Sequence, residues 1–213
     1  AYAYHNTGEG GLSPYHKHGG DIIFQIGTGY FGIRDEEGNF SMDHLVKLVE
    51  ENPCIRAIEI KLSQGAKPGK GGVLPGSKIT KEIAEIRKVP LGKDVVSPPY
   101  HTAFEGNQGL IDFIEEIAAK TGLPVGVKAA IGKLDGWKDL ARLMKKQYKG
   151  PDFITVDGGD GGAGASPMAL MDNVGLSLKE SLPIVVDNIM QNGLEDRVKV
   201  VASGKVITPA DMA

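Results

Sequence analysis

Six short apolar runs, beginning near residues 21, 55, 94, 124, 152 and 198, recur along the chain, and stretches of helical periodicity fill most of the intervals. In DIIFQIG (21–27), VGVKAAI (125–131) and DFITV (152–156) the apolar residues are nearly continuous. Both faces of such strands must be covered, as in a parallel sheet dressed with helices. Between them, Ser41 caps a segment whose Leu45, Leu48 and Val49 share one face before Pro53 ends it. Ile79–Arg87 reads as a second helix. Asn107–Thr121 aligns Leu110, Phe113, Ile114, Ile117 and Ala118, with Gly122 as a stop. A helix fits 136–147, and Ser177 with Glu180 forms a capping-box pattern for another reaching about Gln191. The segment ITPADMA at the C-terminus reads as the start of one more. Residues 1–20 show no hydrophobic period and are expected to be loop.

Regular β/α alternation leaves a doubly wound sheet or a β/α barrel. Polar, glycine-rich stretches follow many of the strands rather than one crevice, which selects the barrel. A complete (β/α)8 barrel has eight strands and typically ~250 residues. The expectation for these 213 residues is an α/β chain in one domain, an incomplete TIM-type barrel segment of about six β/α units.

Composition narrows the function. With 41% hydrophobic residues, 24% charged residues and a net charge of -3, the chain can bury a substantial core. No apolar run approaches the ~20 residues that span a bilayer, and no secretory leader pattern is visible, so the cytoplasm is the default location. Mild acidity without a basic, aromatic-interleaved stripe argues against nucleic acid as a partner. A single cysteine, Cys54, excludes an internal disulfide framework and a multi-cysteine metal or iron–sulfur site within these residues. His5, His16 and His18 lie in a loop with no further ligand at helical spacing, so they are read as solvated or hydrogen-bonding, with no metal site.

The most informative stretch is IEIKLSQGAKPGKGGVLPG, residues 58–76. Ile58, Ile60 and Leu62 alternate with Glu59, Lys61 and Ser63, the period of a strand. A loop with five glycines, two prolines and Gln64, Lys67 and Lys70 follows. Ordering such a loop is entropically costly, and its usual use is to bring backbone N–H groups and lysines to an anion. The alternative is a solvated surface loop. A second strand, at 152–156, breaks into DGGDGGAGASP (157–167), and the last into Ser203-Gly204-Lys205. Glycine runs of this kind let backbone approach a phosphate or a ring, although a simple turn explains 203–205 nearly as well. Lys128, a charge inside an apolar strand, needs a carboxylate or a ligand.

The wording of these stretches resembles one family. SQGAKPGKGG followed by LPG is similar to the QGAKPGEGGxLPG signature of the FMN-dependent synthase domain of glutamate synthases. Asn6–Gly11 (NTGEGG), Ser97-Pro98-Pro99 and DGGDGGAGASP match further motifs of that family, closest to its stand-alone branch without a glutaminase domain. The resemblance implies FMN bound by Asn6, Thr7, Gln64, Lys128, Asp157, Gly158, Gly159, Gly162, Ser203, Gly204 and Lys205, with Lys128 beneath the flavin. It implies that Glu9, Lys67 and Arg87 form the catalytic substrate site, where arginine gives a bidentate and lysine a point contact to carboxylates. The implied reaction is that of an oxidoreductase acting on CH–NH2 donors: 2-oxoglutarate and ammonia, free or glutamine-derived, are converted to glutamate via 2-iminoglutarate. Electrons would come from NAD(P)H or ferredoxin through an iron–sulfur cluster in a longer protein, whose three cysteines lie beyond residue 213. A first strand upstream of NTGEGG and a further strand after the C-terminus are likewise implied, so the chain is expected to be a fragment; association into a homo-oligomer is left open. Three residues depart from the family pattern: Ala163 for threonine, Val73 for glutamine and Lys70 for glutamate. The last two motivate an alternative, an FMN oxidoreductase for a different small keto or imino acid. A non-catalytic barrel module is the third reading.

Overall fold

The computed structural model describes residues 3–161 and 166–212. In chain order it contains β1 (His5–Asn6), β2 (Ile22–Ile26), α1 (Met42–Glu51), β3 (Ile55–Lys61), β4 (Val73–Leu74), α2 (Lys81–Arg87) and β5 (Val95–Val96). There follow α3 (Gly106–Thr121), β6 (Val125–Ala129), α4 (Leu134–Gln147), β7 (Phe153–Asp157), α5 (Leu178–Gln191), β8 (Lys199–Ser203) and α6 (Pro209–Met212). Six strands pair in parallel in the order β1-β2-β3-β6-β7-β8 and curl into a half-barrel. The α/β barrel expectation therefore holds, and so does the number of strands.

Their membership does not. The run at 94–101 was expected as a barrel strand, but only Val95 and Val96 are extended, and they pair antiparallel with Leu74 and Val73 in a separate two-stranded ribbon. Pro98 and Pro99 lack the N–H groups that would continue a ladder, and Val96 is 68% exposed rather than covered on both faces. The sixth strand comes instead from the N-terminal segment expected as loop, where His5 and Asn6 pair with Ile22 and Ile23. The ribbon and α2 form an excursion between β3 and β6, whose Ile79, Val89 and Val95 cluster with Phe31 from the turn after β2.

Two helices begin at the caps expected, Ser41 and Ser177, and α2 begins two residues later than expected, capped by Thr80. Ser41 Oγ accepts the His44 N–H, Thr80 Oγ1 that of Ile83, and Ser177 and Glu180 close a capping box. One face of the sheet, built from Phe24, Ile26, Ile58, Ile60, Val125, Val127, Ile154 and Val156, is at most 1% exposed. It packs against Leu45 of α1, Ile111, Ile114 and Ile117 of α3, Met144 of α4 and Val185 of α5 in a single core. Each such side chain contributes about 1.5–3 kcal/mol on burial. The alternate residues turn to the concave face: Gln25, Glu59, Lys61, Lys128, Thr155 and Asp157. At Gly126 a Cβ would collide with the Phe153 ring, which lies across β6 on this side. Among the described residues no helix is long and apolar enough to cross a membrane.

Candidate active site

In a parallel sheet all strands end at one edge, so the segments after β1, β2, β3, β6, β7 and β8 meet there. The concave face leading to that edge is polar and bonded through. Glu59, 2% exposed, accepts from three strands at once: Asn6 Nδ2 at 2.8 Å, Gln25 Nε2 at 2.7 Å and Thr155 Oγ1 at 2.6 Å. A buried carboxylate is tolerable when its lone pairs are taken up in this way. Asn6 relays the constraint, because its Oδ1 accepts the Gly8 N–H, and Thr7 Oγ1 accepts the Gln25 N–H. The turn that carries Glu9 is thereby tied to the sheet.

Glu9 lies 3.3 Å from the Lys61 ammonium, whose side chain is only 13% exposed and also donates to Gln64 Oε1 at 3.1 Å. A Cβ at Gly27 would sit 2.6 Å from the Glu9 carboxylate, so a larger residue there would displace it. Glu9, Lys61, Gln64, Lys67 and Lys70, with Ser97 and Pro98, line one cleft. Lys67 is 9% exposed, and no carboxylate or other acceptor is recorded for its ammonium among the described residues. Three lysines and one carboxylate therefore line the cleft, which the 62–76 loop borders. An excess of cations over carboxylates at close quarters is self-repelling, and an anionic ligand relieves it.

The other half of the edge is organised by Asp157. Its Oδ1 accepts Ser203 Oγ at 2.7 Å and lies 3.3 Å from Lys128 Nζ; its Oδ2 accepts the Gly65 N–H at 2.8 Å. Lys128 thus has the carboxylate partner that its position demanded. A Cβ at Gly65 would strike the Gly158 carbonyl, and one at Gly159 the Gly175 backbone. Close packing of loop on loop already requires these glycines. The Gly158 and Gly159 N–H groups are spent on the Ser203 and Leu176 carbonyls. By contrast, the N–H groups of Gly204 and Lys205 and the Gln64 amide nitrogen have no recorded partner among the described residues. Gly162 lies outside the described residues.

Of the expected substrate residues, Glu9 and Lys67 share the cleft. Arg87 does not line it. Its guanidinium stacks on the Phe31 ring at 5.0 Å, behind Gly10, in a neighbouring hollow that Glu9 also borders. Lys70 reaches the cleft, whereas Val73 is 60% exposed on the ribbon and does not. Sequence reasoning passed over Lys61, Glu59 and His101. The signal for the first two was present: in a strand with Ile58 and Ile60 buried, the alternate Glu59 and Lys61 must face the barrel interior together. His101 gave none. It is 5% exposed, and burial pushes its pKa below the usual histidine value, opposed by its bond to the Lys61 carbonyl and by the Glu9 charge.

A model of the conserved region in glutamate synthase matches residues 1–213. The chain belongs to the glutamate synthase family. It is 45% identical over 209 residues to the glutamate synthase large subunit-like protein YerD of Bacillus subtilis, and 36% identical to an archaeal-type glutamate synthase [NADPH] of Thermotoga neapolitana. These alignments take in 98% and 97% of the chain but 39% and 38% of the relatives, so the chain spans about two fifths of their length. Among solved structures, a mutant flavocytochrome b2 with benzoylformate superposes over 98% of the chain and 44% of its own, with a TM-score of 0.54 and 16% identity. That likeness establishes the fold.

Proposed function

We propose that this member of the glutamate synthase family forms the FMN-binding synthase unit of an oxidoreductase, and that its cleft takes 2-oxoglutarate for amination to glutamate. The observation that carries the reading is the surplus of positive charge in one cleft, where Lys61, Lys67 and Lys70 meet Glu9 as the one carboxylate of the lining and no acceptor is found for the Lys67 ammonium among the described residues. A dicarboxylate supplies two anionic ends to such a set, and each charge-assisted bond is about twice as strong as a neutral one. Lys61 and Lys67 would hold the carboxylates. Glu9, already fixed through Asn6 and Glu59, is placed to accept a hydrogen bond from ammonia or the imine nitrogen.

The donor set fits a flavin in part. Lys128 on the concave face, the Gln64 amide and the open N–H groups of Gly204 and Lys205 would hold FMN, the last two at its phosphate. Asn6, Thr7, Gly158 and Gly159 are committed to the protein and would act by shaping the site. The chemistry FMN supplies when bound is hydride transfer to the imine carbon. Its electrons would come from NAD(P)H or ferredoxin through parts of the longer protein.

The test is anaerobic reoxidation of the reduced full-length protein. Addition of 2-oxoglutarate and ammonia is expected to bleach no further but to restore the oxidised flavin band, with one glutamate formed per flavin. Lys70, a cation in the cleft where the family pattern has glutamate, favours a second reading in which another acidic keto acid is the substrate. Turnover with such an acid and none with 2-oxoglutarate would decide for it. A protein that folds without taking up FMN would be a non-catalytic module.

A further inference from the structure

His101 is a buried titratable group with no part in the chemistry above. Its Nε2 lies 2.9 Å from the Lys61 carbonyl oxygen and its Nδ1 3.2 Å from the Tyr30 hydroxyl. A carbonyl only accepts, so Nε2 bears the proton and Nδ1 of the neutral ring accepts. The Tyr30 hydroxyl then donates to Nδ1, while its oxygen accepts the N–H groups of Thr102 at 3.0 Å and Ala103 at 3.1 Å. Every donor and acceptor is matched in this one arrangement. A second ring proton, on Nδ1, would confront the hydroxyl hydrogen and leave it without an acceptor. The groups facing the ring are the Tyr30 hydroxyl, the Lys61 carbonyl, the Glu9 charge and the Phe104 ring, which stacks at 5.2 Å.

This set joins three pieces of the cleft edge. Tyr30 belongs to the turn after β2 and holds φ of 49°, a conformation that a non-glycine residue adopts only under constraint. Thr102 and Ala103 continue the segment of Ser97 and Pro98, which lines the cleft. Lys61 is the last residue of β3, and its peptide plane sets the direction in which its own side chain and the loop of Lys67 depart. We infer that His101, held by Tyr30 as the neutral Nε2–H tautomer, is a positioning residue that anchors the Lys61 carbonyl and so aims Lys61 and Lys67 at a dicarboxylate. The inference rests on reading the cleft as the dicarboxylate site.

It is tested on the full-length, flavin-loaded protein by nitrogen NMR of labelled histidine and by calorimetric titration with 2-oxoglutarate. The expected spectrum has the His101 proton on Nε2, with a shift of Nδ1 in Tyr30→Phe. His101→Phe is expected to weaken 2-oxoglutarate binding roughly tenfold, the order of one lost buried hydrogen bond, at unchanged flavin content. His101→Gln, whose amide can donate at the Nε2 position, is expected to recover most of it. Because burial lowers the His101 pKa, wild-type affinity should fall only at pH well below the ordinary histidine value of about 6.5, and the glutamine variant should lose that dependence. An Nδ1–H tautomer, or a folded His101→Phe protein that binds like wild type, overturns the role of His101. Should the phenylalanine variant not fold, the glutamine variant decides: retained affinity with a flat pH profile supports the role, and an unchanged pH profile overturns it. Wild-type protein that binds no 2-oxoglutarate overturns the cleft reading instead.

Discussion

The two faces of the six-stranded sheet are made from alternate residues of the same strands, yet they obey different rules. On the helix side, Ile58 and Ile60 of β3 are fully buried among aliphatic neighbours that impose shape and volume alone. On the concave side, Glu59 and Lys61 of the same strand are held by hydrogen bonds of specified donor and acceptor, to Asn6, Gln25, Thr155, Glu9 and Gln64. The first face is stabilised by removing apolar area from water, which is non-directional and tolerant of exchange. The second gains little net energy per bond and loses heavily when one partner is missing. Stability is therefore concentrated on one side of the sheet and the candidate site on the other, separated by the thickness of a backbone.

Substitutions on each face can break or sharpen this contrast. The largest effect is expected for Ile60→Ala, a cavity in the helix-side core costing about 3–4 kcal/mol in urea unfolding, with the tightness of dicarboxylate binding by the remaining folded protein little altered. Loss of binding without loss of stability would dissolve the distinction. Glu59→Ala comes next, at about 3 kcal/mol, because it strands three donors from three strands. It should also loosen the Glu9 turn, and Glu59→Gln should cost clearly less. Lys67→Met should reverse the pattern: 2-oxoglutarate affinity falls roughly 30-fold through loss of a charged contact, while thermal stability stays level or rises, since one of three lysines crowded into the cleft is removed and no ion pair of Lys67 among the described residues is lost. A drop in melting temperature with unchanged affinity would show Lys67 to be structural.

A smaller effect comes with pH. The folded-state pKa of His101 is lowered by burial, so below about 6.5 the unfolded chain binds the proton first. Stability contributed by the neutral ring is present above that value and is lost as pH falls from it toward the folded pKa. His101→Gln should flatten this part of the curve. Least of all should change in Val73→Gln. The side chain is exposed and outside the cleft, so the change is expected to alter stability by less than about 0.5 kcal/mol. It should leave 2-oxoglutarate affinity unaltered; a marked gain would bring the ribbon into the site.

Most of the helix-side face was legible in advance, because burial imposes periodicity, and Ser41, Gly122 and Ser177 mark helix ends through local bonds within a few residues. The failures at 94–101 and at His5–Asn6 share a cause. Two or three extended residues carry no period, and whether they pair with the barrel or with a ribbon depends on what lies alongside. The glycine motifs were legible as places of close approach, but not what approaches: at Gly65 and Gly159 it is another loop. The candidate cleft was legible in part as charged residues near strand ends: Glu9 and Lys67 line it, and Arg87 does not.

Local sequence thus determined the longer strands and helices, the helix ends at Ser41, Gly122 and Ser177, and the strand-end position of the cationic loop, since these follow from spacing and from bonds between near neighbours. Only the tertiary structure decided that Lys61 answers Glu9, that Lys128 answers Asp157, that Arg87 turns aside onto Phe31, and that His101 grips the Lys61 carbonyl. Those partners lie 29 to 56 residues apart, and the strength and sign of an electrostatic contact depend on distances that no periodicity encodes.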